Sequence, residues 1–339
     1  MPEPSDAFRP VGEAEARFEA AADAVVTGDL DGLTRLLAED PTLARARSPR
    51  PHRATLLHYV AANGFEDFRQ RTPADAPEVA RLLFRHGAVA DVTCPFGEET
   101  VWTTPMCSLV SSVWPHRAGL HAALVDAFVA GGARVDGLSD ESGPLELALG
   151  FGYPEAAEAL VRNGARIGHV LHAAGLGRLD LVRKAFDEHG RLRAAHREPS
   201  GWCTRKRVRG EQDVLDEAFV LACRHRHPEV AAFLLERGAR LGARGDQGFT
   251  ALHAAAWYGH HDLLEWLLAR GAPLDVRNDY GGTVLDGTCW GAVHAPVPGV
   301  DPLPIVARLI DAGADPREVT PFPTGREDLD RLLRARGLA

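Results

Sequence analysis

Fifteen histidines and five cysteines give this chain many groups that could bind metal or move protons, so their spacing decides which chemistry is open. The densest cluster is CRHRH, holding Cys223, His225 and His227. A zinc site needs several ligands that converge. On a helix Cys223 and His227 share a face and His225 does not, so no metal is expected. The cysteines (Cys94, Cys107, Cys203, Cys223, Cys289) are far apart and form no CxxC pair. Neither a zinc ribbon nor a disulfide framework fits that spacing, and reduced thiols are expected.

Catalytic patterns are equally thin. The sequence contains no GxSxG, HExxH or P-loop, and GLGRLD at 175–180 reads as a turn between helices rather than a phosphate loop. The expectation is a non-enzyme without cofactors. Asp286 stands where a buried acid or a turn cap could sit. The one dense basic run is RKRVR, with Arg205, Lys206, Arg207 and Arg209. It reads as a solvated loop or as a contact for an acidic segment or a phosphorylated ligand.

Charge narrows the partners. A net charge of −9 argues against a general nucleic-acid binder, which needs a basic face. Hydrophobic residues at 45% and charged residues at 25% are globular proportions. The acidic, proline-containing start MPEPSDAFRPVGEAEARFEA has no apolar stretch of the kind a signal peptide carries. No apolar run approaches the roughly 20 residues that span a bilayer. A cytoplasmic monomer without membrane contact is expected.

The elements that must position these residues come from a repeated phrase, an apolar helix end followed by Gly and usually Ala. It appears as LLFRHGA, FVAGGA, LVRNGA, AFDEHG, FLLERGA, WLLARGA and LIDAGA, at glycines 87, 132, 164, 190, 238, 271 and 313. Gly132 to Gly164 is 32 residues and Gly238 to Gly271 is 33, which sets the basic period. The fullest copy is GFTALHAAAWYGHHDLLEWLLARGAPLDVRN, 248–278. Within it, Thr250 can cap a first helix, and Ala255 and Ala256 allow close helix approach. Leu263, Leu264, Leu267 and Leu268 form one apolar stripe. Gly271 suits a left-handed cap. Pro105 and Pro144 suit first helical turns.

This phrase resembles the ankyrin repeat. The resemblance covers about 50–315 and implies an all-α solenoid of seven helix-turn-helix repeats. Their expected bounds are 51–92, 95–136, 139–168, 169–196, 213–243, 246–276 and 279–315. A flexible start (1–12), an N-terminal capping pair (13–46) and a C-terminal capping helix (326–339) complete the expected organisation. The segment 52–88 is similar to one in bacterial ankyrin-repeat proteins without an assigned activity, so the resemblance supplies an architecture and no reaction.

The resemblance also assigns roles. His58, His172 and His253 fall on the histidine that bonds the turn in this family, with Thr250 as its cap, and His227 and His260 fall on a histidine of the inter-helix turn. Partner-facing positions fall on Ala62, Asn63, Ser111, Ser112, Gly150, Phe151, Arg224, His225, Trp257, Tyr258, Trp290 and Gly291. Finger positions add Trp102, Asp246, Gln247, Phe249, Asp279 and Tyr280. Trp, Tyr and Arg are the types enriched at binding hot spots. The expected site is therefore Arg224, His225, Phe249, Trp257, Tyr258, Tyr280 and Trp290, taking a protein or peptide with an acidic segment. Trp257 and Trp290 could instead be inner-helix packing residues. Insertions at 65–77, 113–121, 197–213 and 292–301 either border this groove or are tolerated surface drift. The alternative function is a small-molecule or catalytic site in the same groove, lidded by the insertions.

Overall fold

Threonine and proline decide where the inner helices start. Thr250 lies in extended backbone, and its hydroxyl accepts from the His253 N–H at the head of the helix Ala251–Trp257. Thr104 caps Pro105–Val110 in the same way. Pro105 and Pro144 occupy first turns, where a missing N–H leaves nothing unpaired.

The computed structural model describes residues 12–62, 64–95, 102–138, 143–197 and 210–338. The fold is all-α, and the described residues form seven helical hairpins, a helix pair before them in the sequence and one helix after them. The chain divides into two compact units, 1–166 and 167–339.

In the first unit, α1 (Glu13–Thr27) and α2 (Leu30–Glu39) pair at the N-terminal side. The hairpins that follow are α3 (Leu56–Ala61) with α4 (Ala76–Arg85), then α5 (Pro105–Val110) with α7 (His121–Ala130), then α8 (Pro144–Phe151) with α9 (Pro154–Arg162). A short α6 (Val113–Arg117) bridges α5 and α7. The inner row α1, α3, α5, α8 and the outer row α2, α4, α7, α9 each pack neighbour on neighbour. A finger ribbon pairs β1 (Cys94–Pro95) antiparallel to β2 (Trp102–Thr103), with Cys94 opposite Thr103.

In the second unit the hairpins are α10 (Val170–Gly175) with α11 (Leu179–Lys184), α12 (Glu211–Arg224) with α13 (Pro228–Glu236), α14 (Ala251–Trp257) with α15 (His261–Leu268), and α16 (Val284–His294) with α17 (Pro302–Asp311). The inner helices α10, α12, α14 and α16 pack in that order, and α18 (Glu327–Ala335) closes on α17. Ala255, Ala256, Leu263, Leu264 and Leu267 are buried, and Leu268 is half-buried at the edge of the stripe. Burying a leucine is worth about 1.5–3 kcal/mol, so stacking supplies the core that no hairpin has alone. Gly271 follows α15 at φ 76°, a left-handed conformation that Ala or Leu there would strain.

The insertions take different forms. Residues 113–117 form α6. The 292–301 stretch first lengthens α16 to His294 and then loops back to α17. Of 197–213, residues 198–209 lie outside the described residues, and with them RKRVR and Cys203. Residues 211–213 are the first turn of α12, which runs 14 residues where α14 runs 7.

Candidate partner-binding face

The histidines come first because they set the register of everything around them. In α14 the His253 Nδ1 accepts from the Thr250 hydroxyl (2.8 Å) and N–H (3.3 Å). That tautomer leaves Nε2–H to donate to the Gly282 carbonyl of the next finger at 3.4 Å. His58 repeats the arrangement on Thr55, with its Nε2 directed at the Thr103 carbonyl at 3.4 Å. Burial lowers the His253 pKa to about 4 and the His58 pKa to about 3, so both rings are neutral at pH 7. Each is a staple from one hairpin to the next finger. His172 sits at the same helical position of α10, but there the cap is His169, whose Nδ1 accepts from the Leu171 N–H. In α16 the position belongs to Asp286, whose Oδ1 accepts from the Thr320 N–H at 2.8 Å. Burial raises the Asp286 pKa.

A second pair of histidines ties the turns α12–α13 and α14–α15 back to the preceding hairpin. His260 Nε2 donates to the Arg224 carbonyl (2.9 Å) and His227 Nε2 to the Gly175 carbonyl (3.1 Å). Aromatic rings stack on both: Tyr258 on His260 at 6.0 Å and His225 on His227 at 6.5 Å. Tyr258 and His225 are half-buried and cap the ends of α14 and α12. His227 is thereby engaged with backbone, and Cys223 is buried in the core with its thiol pKa pushed up by burial.

The remaining site residues form a separate column. Arg224 and Trp257 are the last residues of α12 and α14, and Trp290 holds the equivalent register position inside the longer α16. Trp257 is half-buried, and it stacks on Trp290 at 6.0 Å with an interplanar angle of 27°. Trp290 remains 49% exposed and meets His294 at 4.9 Å. Phe249, in the finger before α14, packs edge-on against Trp257 at 5.8 Å. Trp257 is thus partly a packing residue, whereas Trp290 is mostly surface. Tyr280 stands out from the next finger at 76% exposure, its hydroxyl donating to Gln247 Oε1 at 3.3 Å. Beside the column lies a shallow, open concavity. Trp257, Gly291, Pro296, Val297 and Val300 line it, and Arg326 is the charged residue on its wall. Val300 also covers the Gly259 turn, where an added Cβ would come within 2.8 Å of it. A Cβ on Gly291 would come within 2.8 Å of the Trp257 ring, so the bare glycine is what seats that indole.

Three positions expected to face a partner do not. Ala62, Ser112 and Gly291 are buried. Ser112 caps α6 and donates to the Ala62 carbonyl at 2.7 Å, because the inner helix ends one residue earlier than the register implies. Asn63 lies outside the described residues.

The first unit holds a cluster that sequence reasoning missed. The 65–77 insertion carries Glu66 and Arg69, only 7% and 5% exposed. Arg69 pairs with Glu19 (2.7 Å), Asp23 (2.7 Å) and Glu66 (2.9 Å). Glu66 also accepts from the Tyr59 hydroxyl and from His52 Nε2, and Arg50 bridges Glu19 and Glu66. Burial works against the Glu66 charge, but the His52 and Tyr59 bonds and the two guanidinia outweigh it and hold its pKa below the usual range. No motif announces this cluster. Its only trace in the sequence is an acid three residues before an arginine in an insertion.

The repeated Thr–His staple, the alanine-paired inner helices and the glycine-ended outer helices are similar to those of ankyrin repeats. The family model described as ankyrin repeats (many copies) matches residues 234–287, from the end of α13 into α16. Among solved structures, the chain is similar to the human ASB11 ankyrin repeat domain, at 19% identity and a TM-score of 0.40. That alignment covers 87% of this chain and 98% of the other. No curated protein matches the chain.

Proposed function

We propose that this protein is a non-catalytic recognition module that holds a protein or peptide on the inner-helix face of α12, α14 and α16. Ankyrin repeats generally mediate protein–protein interaction. The observation that carries the reading is Trp290. It is a large aromatic, 49% exposed, stacked on a half-buried Trp257, and the finger before its helix carries a second exposed aromatic, Tyr280. The helix stack does not need it exposed, and such residues anchor interfaces. Arg224 in the same column favours a partner with an acidic segment, and binding then weakens as salt rises. The net charge of −9 speaks against nucleic acid as the ligand. Catalysis is not favoured, because the polar side chains lining the concavity beside the column are Thr288 and Arg326, with no carboxylate or histidine among them to form an acid–base pair.

The test places a photo-crosslinking residue at position 290 and, as control, at position 265 on the outer helix α15. Position 290 should crosslink one protein from host extract and position 265 should not. Trp290→Ala and Tyr280→Ala, at exposed positions, should weaken capture while changing stability by no more than about 0.5 kcal/mol, as surface changes generally do. Crosslinks from 265 alone would place the functional surface elsewhere.

A further inference from the structure

The outer row carries a second surface, on α11 and α13, separate from the inner-helix face. The hairpin α10–α11 is cut short on its outer side, where α11 stops at Lys184 after six residues. The chain then doubles back. Asp187 N–H donates to the Arg191 carbonyl and Arg193 N–H to the Ala185 carbonyl, both at 2.8 Å. This tight loop sets the buried Phe186 edge-on against Phe233 of α13 at 5.5 Å. It also brings Arg193 Nε to the Lys184 carbonyl at 3.0 Å.

Two guanidinia share the Phe233 ring. The Arg183 Cζ lies 5.7 Å from its centroid and the Arg237 Cζ 4.9 Å, so the two can be no further apart than those distances laid end to end. Arg237 also lies over Phe186 at 5.7 Å, and a Cβ added at Gly190 would come within 2.8 Å of its Nη1. A guanidinium packed on a ring keeps its N–H groups for other acceptors. Arg183, Lys184, Arg193 and Arg237 are all exposed, and no carboxylate among the described residues pairs with any of the four. Asp187 of the loop is spent on the His189 and Arg191 N–H groups, at 2.9 and 3.0 Å. Elsewhere in the outer row acids answer the arginines, Asp126 for Arg162 at 3.0 Å and Glu265 for Arg308 at 2.7 Å. Counted from the turn glycine before each outer helix, Gly177 or Gly259, Arg183 stands where α15 carries Glu265.

We infer that the outer face of α11 and α13 binds a phosphorylated serine or threonine of a partner chain, its phosphate held between Arg183 and Arg237.

A phosphate monoester brings about −1.5 to −2 charges and three acceptor oxygens, enough for two guanidinium forks. A carboxylate is filled by one. Exposed Glu188, Glu229 and Glu236 stand on the same loop and helix, which suits a point ligand and not a flat anionic membrane.

The test passes the full-length protein over immobilised peptide libraries centred on phosphoserine or phosphothreonine, on the unphosphorylated residue, and on glutamate. The phosphorylated libraries should retain it at least about tenfold more strongly than the others. Arg183→Gln and Arg237→Gln should each remove that preference, and Arg237→Lys, which keeps the charge but not the fork, should lose most of it. Arg308→Gln, at a paired arginine, and Trp290→Ala, on the inner face, should leave it unchanged. Arg183 and Arg237 belong to different hairpins, so a folding defect in one variant, read as an early melting transition, leaves the other as the test. Equal retention on glutamate or unphosphorylated libraries, retention that survives both glutamine changes, or no retention would each overturn the inference. So would inorganic phosphate that competes mole for mole with the peptides, or binding to phosphatidylserine vesicles in place of phosphopeptides. Because the site lies off the inner-helix face, its failure leaves the recognition reading standing.

Discussion

Two insertions occupy the same place in their hairpins, between inner and outer helix, and do opposite things. In the first unit, 65–77 folds back and buries Glu66 and Arg69 against Glu19, Asp23 and Arg50. Its Glu66 and Arg69 are paired inward, and the insertion becomes part of the N-terminal cap. In the second unit, 292–301 contributes Pro296, Val297 and Val300 to an open concavity beside exposed aromatics. One insertion completes a core and the other builds a surface. Insertion length therefore says nothing about role. The side chains do, because buried charge demands partners while apolar side chains left at a rim offer area to a ligand.

The largest expected effect tests the sealed side. Arg69→Met removes the cation from three carboxylates, two of them well buried, and should destabilise by about 3–5 kcal/mol. Chemical denaturation measures it. A loss under about 1 kcal/mol would make the network a surface ornament and break the contrast.

Acid titration sharpens the comparison. His253 protonates near 6.5 in the unfolded chain but only at about 4 when folded, because burial penalises the cation. As pH falls, the unfolded chain takes up the proton first. Stability is therefore full above about pH 6.5 and declines between 6.5 and 4, by about 3 kcal/mol from this ring. Glu66 acts in a lower window, since a depressed carboxyl pKa gives stability that is lost only as pH falls through the folded value. Denaturation at a series of pH values should show the histidine loss first, His58 contributing to the same window, and His253→Gln should remove its own share of that loss. Loss confined to pH below 4 would assign acid sensitivity to the carboxylates alone.

At neutral pH, His253→Ala should cost about 1–3 kcal/mol, the price of unmaking a buried hydrogen bond, without affecting partner binding. The smallest stability effect belongs to the open side. Trp290→Ser should leave stability within about 0.5 kcal/mol and reduce partner capture. If it unfolds the protein early, Trp290 belongs to the core and the second insertion is as structural as the first.

Where the repeat phrase is complete, local structure was legible. The Thr250–His253 cap, the alanine pair and the leucine stripe follow from local spacing, and the register brought Arg224, Trp257 and Trp290 into one column. The site divided in a way the register does not reveal. His225 and Tyr258 stack on turn histidines one residue beyond the column, because the helices end between the two positions. The Glu66–Arg69 cluster was not legible, since its partners lie some 46 to 50 positions away on α1. The two added turns of α12 were also hidden. Val220 stands at the histidine position there and Glu217 at the threonine position, so the phrase that marks a helix start is absent.

Asp286 reverses the direction of the staple. His58 and His253 each direct a donor forward to the carbonyl of the following finger. Asp286 offers an acceptor instead, and the Thr320 N–H answers it. The segment after α17 is therefore held by its amide rather than by its carbonyl, and Asp286→Leu would leave that amide without its acceptor.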